Sequence, residues 1–194
     1  DAFLFTGKFT IVSVILINVL AFALALALTK GIKGTNIFRT IFFMPNLIGG
    51  VVLGYVWKTL INCFLSIIGQ PLLALNSTAG YWGLIILMCW QQIGYMMIVY
   101  IAGLQSVPDS VLEAAEIDGA NAWKTLFKVK IPMVMSSVTV CLFLTLSNSF
   151  KLFDQNLALT NGQPYGKGKM TEMLALNIYN TFYARSGKVW KGYG

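Results

Sequence analysis

Residues 106–132 read SVPDSVLEAAEIDGANAWKTLFKVKIP, and this stretch decides how the rest of the chain is understood. It holds four of the seven acidic residues, Asp109, Glu113, Glu116 and Asp118, and long apolar runs flank it on both sides. Its punctuation predicts two short helices. Ser106 with Asp109 three residues on matches a capping box, and Pro108 suits a first helical turn, where no N–H is needed. Gly119 stands where a helix closes on a left-handed residue, a conformation that costs a non-glycine about 1–2 kcal/mol. Asn121 is then placed to cap a second helix through Trp123, Leu126, Phe127 and Val129, until Pro132 removes an amide and starts a new element. The expectation is a polar helix–turn–helix hung between two apolar spans.

Outward from it lie stretches long enough to cross a bilayer. Residues 81–104, YWGLIILMCWQQIGYMMIVYIAGL, precede it, and residues 131–150, IPMVMSSVTVCLFLTLSNSF, follow. Further upstream, residues 10–28, TIVSVILINVLAFALALAL, are polar only at Thr10, Ser13 and Asn18. At about 1.5 Å per residue this run reaches roughly 28 Å, enough for the hydrocarbon core. Alanines at 21, 23, 25 and 27 slim one end of it for close helix packing. Residues 41–61, IFFMPNLIGGVVLGYVWKTLI, read as a span broken near its start by Pro45-Asn46, with Gly50 and Gly54 as a small-xxx-small pair. Trp57 and Lys58 mark its far interface, where an indole and a snorkelling ammonium are both comfortable. Between the spans, residues 29–40 form a tight basic hairpin with Lys30, Lys33 and Arg39, and residues 62–80 an uncharged loop. Residues 151–194 are polar and Gly-rich, with an amphipathic patch, TEMLALNIYNTFYA. The fold class expected is therefore all-α, a polytopic transmembrane helical domain.

The totals agree. Hydrophobic residues make up 57% and charged residues 11%, with a mean hydropathy of +0.71; soluble domains carry about 25% charged residues. The net charge of +7 is scattered among apolar runs, which points to a membrane surface and away from nucleic acid. Of three cysteines without paired spacing, two sit inside apolar runs and read as small buried hydrophobes, and with no histidine a metal site is not expected. No G-x-S-x-G and no phosphate-binding glycine loop is present, so an enzyme is not expected. The spans hold no carboxylate and only Lys58 as a basic residue, whereas ion-coupled carriers place titratable groups at membrane depth. An energy source outside this chain is required. The chain begins with Asp, ends at Gly-Tyr-Gly and shows no signal peptide, and is expected to be a fragment.

Polar residues at membrane depth fall into two groups with helical spacing. Gln91 and Tyr95 are four apart with Gln92 between them; Thr145, Asn148 and Ser149 stand at i, i+3 and i+4. Amides, hydroxyls and a phenol without charge suit a neutral polyol such as a sugar better than an anion. The same side chains in membrane helices also serve to join neighbouring helices, at about 0.6 kcal/mol each. Trp90 reads as packing or gating.

At this point a resemblance enters. EAAEIDGANAWKTLFKVKIP resembles the EAA loop of permease subunits of binding-protein-dependent ABC importers, whose pattern is E-A-A, three residues, G, nine residues, I-x-L-P. Glu113, Ala114, Ala115 and Gly119 match, Val129 and Ile131 stand for the Ile and Leu, and Pro132 falls in register. IFRTIFFMPNLIGGVVLGYVWK and LTNGQPYGKGKMTEMLALNIYNTFY resemble two further regions of the carbohydrate-uptake permeases, in the class resembling the maltose-transporter F subunit. The resemblance implies a single MetI-like domain over residues 1–194 that lacks the family's first and last helices. It implies cytoplasmic coupling helices that dock on an ATPase through Glu113, Ala114, Ala115, Asp118, Gly119 and Pro132. It also implies a mid-membrane solute path through Gln91, Gln92, Tyr95, Thr145, Asn148 and Ser149. No cofactor is expected on the chain, since ATP is used by partner subunits. The implied partners are a second homologous permease, two cytoplasmic ATPase subunits, an extracytoplasmic solute-binding protein and the lipid bilayer, in the cell membrane of a prokaryote. Charge counting leaves the orientation open, because the hairpin and the 105–130 loop together hold six Lys/Arg and residues 151–194 also hold six; the resemblance places the loop in the cytoplasm. The alternatives are an ATP-independent carrier or channel, which predicts inverted repeats or charged mid-membrane residues, and a membrane enzyme, which requires acid–base or metal residues facing one cavity.

Overall fold

The computed structural model describes residues 2–29, 34–162 and 171–184, and every regular element among them is helical. Lys30 and Lys33 of the predicted hairpin lie outside the described residues, as do Lys167, Lys169, Arg185, Lys188 and Lys191 of the polar tail. α1 runs Ala2–Leu28, 27 residues, and so begins well before the apolar run that predicted it. It carries Lys8, exposed, so Lys58 is not the only basic residue on a spanning helix; a lysine stem lies along apolar surface while its head reaches water.

Half of the predicted hairpin is helix α2, Thr35–Phe43, which starts after a left-handed Gly34. A 3₁₀ turn, Met44–Leu47, follows it, with Pro45 buried. The break expected at Pro45-Asn46 falls later, at an extended Gly49, because a proline fits the first turn of a 3₁₀ segment without losing a bond. α3, Gly50–Ile67, continues past Trp57 and Lys58, which therefore sit inside the helix and do not end it. α4, Ser77–Gln105, spans 29 residues and is capped by Asn76, whose Oδ1 accepts from the Ala79 N–H at 3.1 Å. α5 (Asp109–Ile117), α6 (Ala122–Thr125), α7 (Ile131–Met133) and α8 (Met135–Phe150) follow, then α9 (Asp154–Leu159) and α10 (Leu174–Tyr179). By length and composition α1, α3 and α4 suffice to cross a membrane, and residues 122–133 with α8 make a fourth span if that bent pair is counted as one.

The chain packs as two units, and α1, α4 and α8 contribute residues to both. The first comprises Asp1–Ser13, Ile48–Met88 and Ser147–Gly194. In it α9 lies against α3, where Gly54 leaves room for the Ala158 side chain. Asn156 of α9 is fully buried and acts as a hub. Its Nδ2 donates to the Thr171 carbonyl at 2.7 Å and to Thr160 Oγ1 at 3.0 Å, while its Oδ1 accepts from the Met173 N–H at 3.0 Å. Next to it the buried Glu172 carboxylate accepts from the amides of Asn177 (3.0 Å) and Asn180 (2.6 Å), the hydrogen bonds that a desolvated charge demands.

The second unit comprises Val14–Leu47 and Cys89–Leu146, with Ile17, Met96, Met97, Tyr100, Val134 and Cys141 in its core. Of the four alanines expected to slim α1, only Ala21 and Ala25 are buried; Ala23 and Ala27 are exposed. A spacing of four keeps one helix face, whereas a spacing of two reaches the opposite one. Outward, α1 shows Ile15 and Val19, and α8 shows Val140 and Phe143. In water such faces are a liability, and in lipid they are ordinary.

Candidate functional site

The 106–134 loop belongs wholly to the second unit and is held by short-range hydrogen bonds that its own residues supply. The predicted capping box does not form. Pro108 stands at the N-cap of α5 with no side-chain bond, and Ser106 Oγ donates to the Gly103 carbonyl at 2.7 Å. The end of α4 leaves free carbonyls within reach of that hydroxyl, and these win over the more distant amides of α5. Asp109 still lies in the first turn, where its charge opposes the helix dipole.

At the other end of α5 the closure is as predicted. Gly119 has φ 71°, its N–H donates to the Glu116 carbonyl at 3.0 Å, and the Ala120 N–H donates to the Ala115 carbonyl at 3.0 Å. These are the two bonds of a Schellman turn. Glu113, Ala114 and Asp118 are exposed and Ala115 half-buried. Asn121 caps α6, with its Oδ1 accepting from the Lys124 N–H at 2.9 Å.

The break expected at Pro132 lies two residues further on. A π turn over Leu126–Lys130 re-routes the ladder, with the Ile131 N–H bonded to the Leu126 carbonyl, so Pro132 enters the first turn of α7. A widened turn is one way a helix accommodates a residue that cannot donate. The helix bends instead at buried Val134, by 70° between residues 122–133 and α8.

Two features of the loop were not singled out from the sequence. Trp123 and Phe127 stack at 5.9 Å with planes 12° apart, yet stand 70% and 59% exposed, and Ile117 is 86% exposed. Beside them opens a cavity of about 500 Å³ lined by Leu26, Glu116, Ala120, Trp123, Leu126 and Lys130. The signal that could have found them was present: aromatic residues at i and i+4 in a loop otherwise rich in charge have no apolar face of their own to join.

The polar residues of the spans fall into different surroundings. Gln91 is buried, and Gln92 and Tyr95 are half-buried, on adjacent parts of α4 in the second unit. Between them a Cβ on Gly94 would overlap the backbone carbonyl of Phe42, so the end of α2 lies directly on α4 at this point. The Phe43 ring is 6.4 Å from that of Tyr95. Thr145, also in the second unit, is engaged on both sides of its hydroxyl, donating to the Cys141 carbonyl at 2.7 Å and accepting from Asn18 Nδ2 at 3.0 Å. In the first unit Asn148 is half-buried, and the buried Ser149 hydroxyl points to Met88 Sδ at 3.7 Å. Asn18, which stands out in the sequence only as a polar residue in an apolar run, and Tyr100 meet Thr145's network, and no local sign points to their partners. Their partners are 127 and 82 residues away in the chain.

Comparison with known proteins follows the same lines. Over 193 residues the chain is 44% identical to the probable starch degradation products transport system permease protein AmyD of Thermoanaerobacterium thermosulfurigenes, covering 95% of this chain and 64% of that protein. It is 30% identical over 184 residues to the trehalose/maltose transport system permease protein MalF of Thermococcus litoralis, covering 90% and 62%. It thus spans rather less than two thirds of the length of these relatives. The crystal structure of a bacterial ABC transporter involved in the import of the acidic polysaccharide alginate superposes with a TM-score of 0.80 at 21% identity, covering 95% of this chain and 68% of that one, a likeness of fold. Residues 17–186 match the family described as binding-protein-dependent transport system inner membrane component, and the chain, an all-α membrane domain, belongs to that family.

Proposed function

We propose that this chain is the membrane-spanning permease part of an ATP-driven importer, and that it passes a sugar or related polyol delivered by an external solute-binding protein. The observation that carries the reading is the loop. Two short helices, closed by Gly119 and Asn121, hold Ile117, Trp123 and Phe127 out to solvent between two apolar spans. A stiff element with an exposed aromatic pair suits a docking surface, because large rigid side chains contribute most of the contact energy in such places. Glu113, Ala114, Ala115, Asp118, Gly119 and Pro132 shape the face offered to a cytoplasmic ATPase, one of two in the assembly, and a second homologous permease completes the pathway. The membrane is the plasma or inner membrane of a prokaryote. Closure of the ATPases on ATP pushes the loop, and the bend at Val134 turns that push into a movement of α8.

The solute class rests on the relatives, whose names specify starch products, trehalose and maltose. Gln91, Gln92, Tyr95, Asn148 and Ser149 supply uncharged donors and acceptors for sugar hydroxyls. Thr145 lies on the same face of α8, with its hydroxyl bonded to Asn18. The test is ATP hydrolysis by the full-length protein purified with its permease, ATPase and binding-protein partners, against a panel of neutral oligosaccharides, monosaccharides and anionic sugars. Stimulation by neutral oligosaccharides is expected, and a complex that no sugar stimulates refutes the reading.

A further inference from the structure

Asn18, Tyr100 and Thr145 come from the parts of α1, α4 and α8 that lie in the second unit, and meet in one buried polar set. Asn18 Nδ2 donates to Thr145 Oγ1 at 3.0 Å and to the Val14 carbonyl at 2.8 Å, and its Oδ1 accepts from the Tyr100 hydroxyl at 2.7 Å. The three residues are 8%, 2% and 0% exposed in chain order. One turn along α1, the Phe22 ring meets the Tyr100 ring edge-on at 5.3 Å. An amide suits the central place: it donates to an oxygen on one side and accepts from a phenol on the other, which neither a carboxylate nor an aliphatic side chain does.

Its position along the chain gives the set a purpose. Tyr100 lies near the end of α4, between Tyr95 and the start of the loop. Thr145 lies on α8 between the bend at Val134 and Asn148. On both helices that leave the loop, the polar set therefore comes before the residues assigned to the solute path. We propose that Asn18 is a positioning residue for coupling, tying α4 and α8 to α1 within the second unit so that displacement of the loop is carried along both helices together. Without it, part of that displacement is lost as slippage of α4 against α8. The proposal rests on the reading of the chain as an ATP-driven permease, and it makes Thr145 a helix-joining residue.

The experiment measures sugar imported per ATP hydrolysed in proteoliposomes holding the complete transporter, for wild type, Asn18→Leu, Tyr100→Phe and the double variant. Asn18→Leu keeps the volume and removes both interhelical bonds, with the bond to the Val14 carbonyl. A fall in that ratio of about fourfold is expected, about twofold for each interhelical hydrogen bond removed. KM for the sugar-loaded binding protein should be unchanged. Tyr100→Phe should fall about twofold, and the double variant should be no worse than Asn18→Leu, since the two share one network. An unchanged ratio with a lowered melting temperature means that the set only stabilises the fold, and the proposal fails. It also fails if sugar preference or KM shifts instead, because these residues then face the solute. If Asn18→Leu does not accumulate, Tyr100→Phe, which deletes a single oxygen, decides the matter alone. A wild-type complex without ATP-driven uptake overturns the importer reading and this proposal together, whereas a coupled wild type with equally coupled variants overturns this proposal only.

Discussion

Gly119 is needed for its backbone and not for space. A Cβ there meets nothing within 4 Å, but φ is 71°, in the left-handed region that costs an L-residue about 1–2 kcal/mol. A β-branched side chain raises that cost, and asparagine lowers it. Gly119→Val is therefore expected to open the Schellman turn, misaim α5 and abolish transport, while the protein remains in the membrane at normal abundance and the binding protein still holds its sugar. Gly119→Asn should keep most of the activity. Uptake assays beside immunoblots of the membrane fraction check this, and full uptake by Gly119→Val at normal abundance shows that the turn is dispensable. Gly119 and Asn121 could be read from the sequence because everything they bond to lies within five residues. Gly94 and Asn18 could not. The reason for Gly94 is a carbonyl at Phe42, and the reason for Asn18 is a pair of hydroxyls on two distant helices, so no local pattern announces either.

Among the elements, the segment that opens α10 is held by side chains more than by burial alone. Thr171 and Met173 reach Asn156 through their backbone groups, and the Leu174 N–H reaches Thr6 Oγ1 at 2.9 Å. Asn156→Ala leaves a buried carbonyl and a buried N–H without that partner, and each such loss costs about 1–3 kcal/mol. The expected result is release of residues 171–174 from α9, seen as fast amide exchange and new protease cleavage there, with the 106–134 loop unaffected. Protection equal to wild type in that segment refutes it. Element ends were the part of the fold least visible in the sequence. Composition located each apolar helix, because transfer to lipid depends on side chains summed over a whole turn or more. It did not locate their termini, because α3 extends past Trp57 and Lys58, and a π turn carries the helix through Pro132 to a bend at Val134. Proline forbids one hydrogen bond, but that alone does not say whether the chain breaks or re-routes.

At the scale of the whole molecule, the distribution of acids separates the two transport mechanisms that the composition allows. α1, α3, α4 and α8 hold no Asp or Glu. The carboxylates are gathered in the 109–118 loop, at Asp154 and at Glu172, besides the first residue. A proton- or ion-coupled carrier needs a titratable stop at membrane depth, since moving a charge there without a partner is costly. Lysines 8 and 58 do not supply it: Lys8 is exposed near the start of α1, and each has a stem long enough to carry its head toward water. On the proposed reading the energy arrives through the loop, from a protein that binds it. Proteoliposomes with the complete transporter are expected to take up sugar only when ATP is enclosed on the side of the 106–134 loop and the loaded binding protein is added on the other. Uptake should persist when an uncoupler dissipates the pH gradient, and an imposed gradient without ATP should move nothing. Gradient-driven uptake in the absence of ATP would revive the ATP-independent carrier and leave the exposed Trp123–Phe127 pair without a purpose.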